Sequence, residues 1–152
     1  MQVSKFSDYA LRLLLHLAQA DGAKRTTREI AAQQRISFNH LAKVSQWLAA
    51  EAYITTSRGR GGGMVLAMDP AEISLGALLR KSEEGSALLE CMRPDGGNCP
   101  LTAACGLSPI LAEAQEAFFR HLDKVSLQDA IERRRGVGAL IEGLESEHRL
   151  RQ

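Results

Sequence analysis

A mainly α fold carrying one small two-stranded β ribbon is what this sequence predicts, and three observations lead there. Apolar residues recur at helical spacing over residues 4–20, 27–34, 37–50, 73–83 and 107–122. Strand-forming residues gather at 53–56 and 64–67, on either side of a glycine-rich stretch. The 152 residues are 45% hydrophobic and 24% charged, enough for one buried core in a globular chain.

The first helix places Phe6, Ala10, Leu13, Leu14 and Leu17 on one face and ends before Asp21-Gly22. Thr26-Thr27-Arg28-Glu29 matches a capping box, with Thr26 as N-cap and Glu29 reaching back. The short second helix that follows turns Ile30 and Ala31 inward. Ser37 can cap a third helix, with Leu41, Val44 and Leu48 buried and Trp47 beside them. Two helices so closely spaced are a helix-turn-helix. Tyr53-Ile54-Thr55-Thr56 and Met64-Val65-Leu66-Ala67 then pair across Ser57-Arg58-Gly59-Arg60-Gly61-Gly62-Gly63, a segment too rich in glycine for a helix. Three helices and a ribbon in this order are a winged helix, closed by Asp69-Pro70. Beyond it come a fourth helix at Ile73–Glu83, a Gly/Pro loop at 91–105, a helix at about Leu107–Leu122 and a short one capped by Ser126. The division expected is a winged helix-turn-helix DNA-binding domain over 1–70, a loop and helices over 71–130, and a charged, partly disordered tail over 131–152. No internal repeat occurs.

The formal net charge of +1 conceals an uneven distribution. Residues 1–70 hold nine basic and five acidic side chains, while the remainder is mildly acidic. Phosphate contacts are local at cellular salt, so a basic segment counts for more than the total. In a helix-turn-helix the start of the second helix faces base edges. That singles out Ser37, Asn39, His40 and Lys43, with Gln46 one turn on and Thr27 and Arg28 at the start of the preceding helix. Asn pairs with adenine and Lys with guanine or phosphate. Arg58 and Arg60 flank Gly59 at the wing tip and suit a narrow minor groove. A solvated helix face and a flexible arginine turn would carry the same residues; the helix pair just upstream favours DNA.

All three cysteines, Cys91, Cys99 and Cys105, fall in the Gly/Pro loop with gaps of seven and five residues. An odd number disfavours a disulfide framework. Structural zinc sites use tighter knuckles than these. Wide spacings suit thiolates reaching separate irons of an iron–sulfur cluster, a thiol redox switch stays open, and small buried hydrophobes fit a polar loop poorly. Four iron corners need a fourth ligand, and the chain has no fourth cysteine. No secretory signal or bilayer span is legible, which places the chain in the cytoplasm. No nucleophile–base pair, phosphate loop or dinucleotide fingerprint is found, so an enzyme is not expected. An electron carrier would leave the basic wing unexplained, while a zinc-stabilised interaction module stays open.

SKFSDYALRLLLHLA at 4–18, NHLAKV at 39–44, RGRGGG at 58–63 and the three-cysteine loop together resemble the Rrf2 family of winged-helix regulators, over roughly residues 1–130. The resemblance is strongest to members that repress transcription and sense nitric oxide. It implies a homodimer on a palindromic operator, joined through a long dimerisation helix at about Leu107–Leu122. It further implies a 4Fe–4S cluster on Cys91, Cys99 and Cys105, completed by Asp8 of the partner subunit, with Arg12 one turn along α-helical spacing to hold that carboxylate. A carboxylate is a harder iron ligand than thiolate, which leaves one corner labile and open to a diatomic molecule. Two departures stand out. Members with a 2Fe–2S cluster carry a histidine three residues after the third cysteine, where this chain has Ser108, and the first cysteine gap exceeds the five residues expected. A 2Fe–2S cluster or a cysteine thiol switch is the alternative.

Overall fold

Helix α1 (Lys5–Gln19) begins at Ser4, whose hydroxyl accepts from the Ser7 amide at 3.2 Å, and it buries Ala10, Leu13, Leu14 and Leu17. The computed structural model describes residues 3–133 together with Ile141 and Gly143. The partly disordered tail expected from the sequence lies almost wholly outside the described residues.

Helix α2 (Thr27–Gln33) carries the capping box in full. The Thr26 amide donates to Glu29 Oε2 at 2.7 Å and the Glu29 amide to Thr26 Oγ1 at 3.2 Å. Thr26→Ala removes the acceptor for one otherwise unpaired amide and is expected to cost about 1 kcal/mol, read as a lowered midpoint in denaturant.

Helix α3 (Phe38–Ala50) crosses α2 after the turn 34–37, in which Arg35 takes a left-handed φ of 56°. Ser37 stands at its N-cap but makes no side-chain cap hydrogen bond, contrary to the expected cap. Leu41, Val44, Ser45 and Leu48 are buried, and Trp47 meets Phe6 of α1 edge-on at 5.3 Å.

Strands β1 (Ile54–Ser57) and β2 (Gly63–Leu66) pair antiparallel, Ile54 opposite Leu66 and Ser57 opposite Gly63. The wing has a third, one-residue rung that the sequence did not reveal. Arg25 and Met64 exchange both backbone hydrogen bonds, at 3.1 and 2.8 Å, fastening the hairpin to the segment before α2.

Helix α4 (Leu75–Ser82) starts two residues later than the apolar pattern suggests. A 3-10 turn over Pro70–Glu72 leaves Ile73 extended, and the Ser74 hydroxyl then caps the helix by accepting from Ala77 at 3.2 Å. Helix α5 (Leu107–Leu122) keeps the expected bounds, and α6 (Leu127–Arg133) follows a reciprocal cap between Ser126 and Asp129.

The chain closes on itself at this point. Leu127 donates to the Ile73 carbonyl and Leu75 to that of Val125, both at 2.9 Å. Ile73, Leu78 and Leu127 are fully buried in the same cluster as Leu13, Ile30, Leu41 and Ile54, so one core runs through α1–α3, the hairpin, α4 and α6. Burial of each such leucine or isoleucine stabilises by about 1.5–3 kcal/mol. The ends of α1 and α4 are tied by Glu83, which accepts from the Ser4 amide at 2.8 Å and from the Ser7 hydroxyl. Burial pushes the Glu83 carboxyl up, yet these bonds from Ser7 and Ser4 outweigh it and hold the group below its ordinary range. Among the described residues no helix is long and apolar enough to cross a membrane.

Candidate nucleic-acid interface and cysteine loop

The buried sides of α2 and α3 fix what their other sides present. With Ile30, Ala31, Leu41 and Val44 inward, Arg28, Ser37, Asn39, His40, Lys43 and Gln46 all stand exposed, and Thr27 is half-buried at the start of α2. All the sequence-derived contact residues on these two helices except Thr27 are thus open to solvent. His40 stacks on Tyr9 of α1, with ring centroids 6.4 Å apart and planes at 27°. Phe38, absent from the sequence-derived set, also stands out at 45% exposure, and the Arg28 guanidinium lies 5.2 Å from its ring centroid.

The turn between α2 and α3 is held from α1. Arg12 Nη2 donates to the Gln34 carbonyl at 2.9 Å, and Gln34 Nε2 returns a bond to the Arg12 carbonyl at 3.2 Å. The same guanidinium reaches Asp8 Oδ2 through Nη1 at 3.4 Å, one helical turn away. Asp8 and Arg12 are thus neighbours, and Arg12 spans the distance from Asp8 to the helix-turn-helix turn. Half-exposed and long, the ion pair itself contributes little stability.

Arg58 and Arg60 are exposed at the wing tip. Glycine is required there for two reasons. Gly59 and Gly61 take φ of 92° and 77°, and a Cβ at Gly62 would lie 2.9 Å from the Gly59 carbonyl oxygen. The tip is a tight turn on a fastened hairpin rather than a slack loop.

Between α4 and α5 the cysteine loop is built of short turns. Cys91 lies in the 3-10 turn Glu90–Met92, the Cys99 carbonyl accepts from the Thr102 hydroxyl at 2.7 Å, and Cys105 follows the turn Thr102–Ala104. All three thiols are free and half-buried. Among the described residues no three His, Cys, Asp or Glu side chains stand close enough to hold a metal ion, so the cysteines are near in sequence but not converged. The donor set still fits an iron–sulfur group by its chemistry: three soft thiols free of disulfides in one loop of short turns.

Helix α5 leaves the loop two residues after Cys105. It buries no residue, and Leu107 and Ile110 are 64% and 61% exposed, with Ala114 and Ala117 continuing the apolar stripe. Its other side is clamped to α4. Arg80 grips Glu116 with two bonds of 2.8 and 2.7 Å, meets Asp123 at 3.0 Å, and lies over the Phe119 ring at 4.9 Å. Bonds to Glu116 and then Asp123 raise the Arg80 pKa above its ordinary value, and Arg80 in turn lowers that of Glu116. Sequence reasoning missed Arg80; the only signal was the seven-residue spacing of Glu116 and Asp123, which puts them on one face of a helix.

A winged helix with an exposed basic reading face, followed by a three-cysteine loop and a long helix, defines a class of transcriptional regulators. Residues 3–133 match the Rrf2 family, described as an iron-dependent transcriptional regulator, and the chain belongs to that family. It is 44% identical over 142 residues to the HTH-type transcriptional regulator NsrR of Geobacillus kaustophilus, covering 93% of this chain and 97% of that one. It is 37% identical over 134 residues to the HTH-type transcriptional repressor NsrR of Streptomyces coelicolor, covering 86% and 88% of the two chains. In fold it is similar to CymR, the global cysteine regulator of Bacillus subtilis, with a TM-score of 0.67 at 21% identity over 88% of this chain and 98% of that one. The winged-helix architecture expected from the sequence is therefore the one observed.

Proposed function

We propose that the chain is a homodimeric repressor of palindromic operator DNA, that it holds an iron–sulfur cluster of the 4Fe–4S type, and that nitric oxide is the signal releasing the operator. The observation that carries this reading is the Arg12 bridge. It joins Asp8, the carboxylate that the family resemblance assigns to the cluster of the partner subunit, to the Gln34 carbonyl at the turn before α3.

Cys91, Cys99 and Cys105 would hold the group, with Asp8 of the partner subunit as fourth ligand. When bound, the cluster supplies iron with one hard, labile ligand position that a diatomic molecule can reach. The protein's own part follows from its contacts. A carboxylate withdrawn from Arg12 leaves that guanidinium to the Gln34 carbonyl and the Tyr9 ring, and the turn that orients α3 moves with it. Ligand site and reading face are distinct and are joined through α1, by the Arg12 bonds to Gln34 and by the Tyr9–His40 stack, as allosteric coupling requires. The exposed stripe from Leu107 to Ala117 serves as the dimer seam and sets the two reading heads about one turn of DNA, or a multiple, apart.

The experiment is purification without oxygen, then absorption spectra, iron and sulfide counts and operator binding before and after nitric oxide. Four irons and four sulfides per chain with affinity lost on exposure support the proposal, whereas unchanged affinity sinks the sensing claim. Two substitutions divide the labour. Asp8→Ala is expected to weaken cluster retention or its coupling to DNA. Arg60→Ala is expected to leave the cluster intact and to reduce the salt dependence of binding by about one unit of slope for one lost phosphate contact. Identical behaviour of the two variants would refute that division.

A further inference from the structure

Among the described residues four large hydrophobic side chains are strongly exposed: Leu101, Leu107, Ile110 and Phe38. The first three belong to the cysteine loop and the start of α5. Phe38 stands alone on the reading head, at the first residue of α3, between the buried Ile36 and the buried run that begins at Leu41. Its ring is exposed and is not packed against the core cluster. Its one described ring partner is cationic, the Arg28 guanidinium of α2 at 5.2 Å.

The first turn of the second helix in a helix-turn-helix faces base edges, while the first helix crosses the phosphate backbone. The chemistry of the two side chains matches those two positions. The only apolar group displayed in the major groove is the thymine C5 methyl, which phenylalanine can contact. A guanidinium held over a ring is restrained before binding, so it loses less freedom when it meets a phosphate. Ser37, Asn39 and His40 around it are exposed and polar, and supply hydrogen bonds but no apolar surface.

We propose that Phe38 and Arg28 form one reading unit: the ring contacts a thymine methyl in each half-site, and the guanidinium across it binds the neighbouring phosphate. The inference rests on the DNA-binding reading above and adds a specificity determinant to it.

The test uses the full chain, purified and assayed without oxygen. Binding sequences are first selected from a random duplex pool. Each thymine of the selected site is then replaced by uracil, which removes only the methyl. Wild type is expected to lose affinity roughly fourfold at one thymine per half-site, the worth of one buried methyl group, and little elsewhere. Phe38→Ala is expected to bind the thymine and uracil duplexes alike, and Phe38→Leu to keep most of the preference. Arg28→Ala is expected to weaken both duplexes equally and to lower the salt slope by about one unit. The proposal is overturned if no thymine position matters to wild type, a result that needs no variant to fold, or if Phe38→Ala discriminates as wild type does. If the pool yields no selected sequence, the DNA-binding reading fails with it, which a retained but methyl-blind affinity would not imply.

Discussion

Gly76→Ala is expected to destabilise the protein by roughly 3 kcal/mol or more, although alanine is the better helix former. Two effects of opposite sign meet at this position. Within an isolated helix the change would gain about 1 kcal/mol, since glycine loses more backbone freedom on folding. Here, however, a Cβ would lie 2.7 Å from Asp123 Cα and nearer still to the Asp123 amide nitrogen and carboxylate. These are mostly backbone atoms, which cannot turn aside as a flexible side-chain end can. Moving them would disturb the Ser74 hydroxyl bond to the Asp123 carbonyl, the Arg80 bond to Asp123, and the Leu75 bond to Val125. The clash therefore outweighs the propensity. Thermal unfolding should register it as a fall of roughly 6–12 °C. Gly106→Ala is the control, because a Cβ there meets nothing within 4 Å. A Gly76→Ala protein that melts with wild type would mean that the close approach of α4 to residue 123 is not what seats α5.

Such long-range fits are what the sequence conceals. Features written in a few neighbouring residues were legible: the Thr26–Glu29 capping box, the Ser126 cap, the glycine-rich hairpin and both ends of α5. Each depends on contacts within one turn or one hairpin, so spacing alone determines it. Not legible were the Arg25–Met64 rung, Leu127 returning beneath Ile73, and Glu83 reaching Ser4 and Ser7, because each joins segments tens of residues apart. The reading face was legible for its polar residues, since polarity on a helix whose other side is apolar means exposure. Phe38 escaped because it lies three residues before Leu41 and continues the same apolar stripe. Apolar spacing alone would place it in the core, yet its ring stands out between the buried Ile36 and Leu41. The cysteines were legible as a candidate ligand set by type and number, not by geometry, since a loop of short turns keeps the three thiols apart.

Replacing Cys99 by serine is expected to abolish the visible absorbance and iron content of the protein while leaving its metal-free stability unchanged. The second half of that statement follows from what Cys99 does within the protein. Its backbone carbonyl accepts from Thr102, at 3.3 Å from the amide and 2.7 Å from the hydroxyl, and serine preserves both bonds. Its thiol is free and half-buried, so the exchange of sulfur for oxygen removes neither a disulfide nor a fully buried group. Serine is a harder and far more weakly acidic ligand, poorly matched to iron that thiolates hold. Operator affinity is expected to fall with the metal, by about 5- to 150-fold if the coupling is of the usual size for two linked sites. Melting of the chelator-treated wild type and of the variant should coincide, whereas the metal-loaded wild type should melt higher by ligand linkage. A Cys99→Ser protein that keeps iron and sulfide in full would remove Cys99 from the ligand set. Zinc without colour in the wild type would remove the cluster itself and leave the loop as a structural metal site. The measurement separates a cysteine that holds a ligand from one that merely packs, because only the first changes metal content without changing the fold.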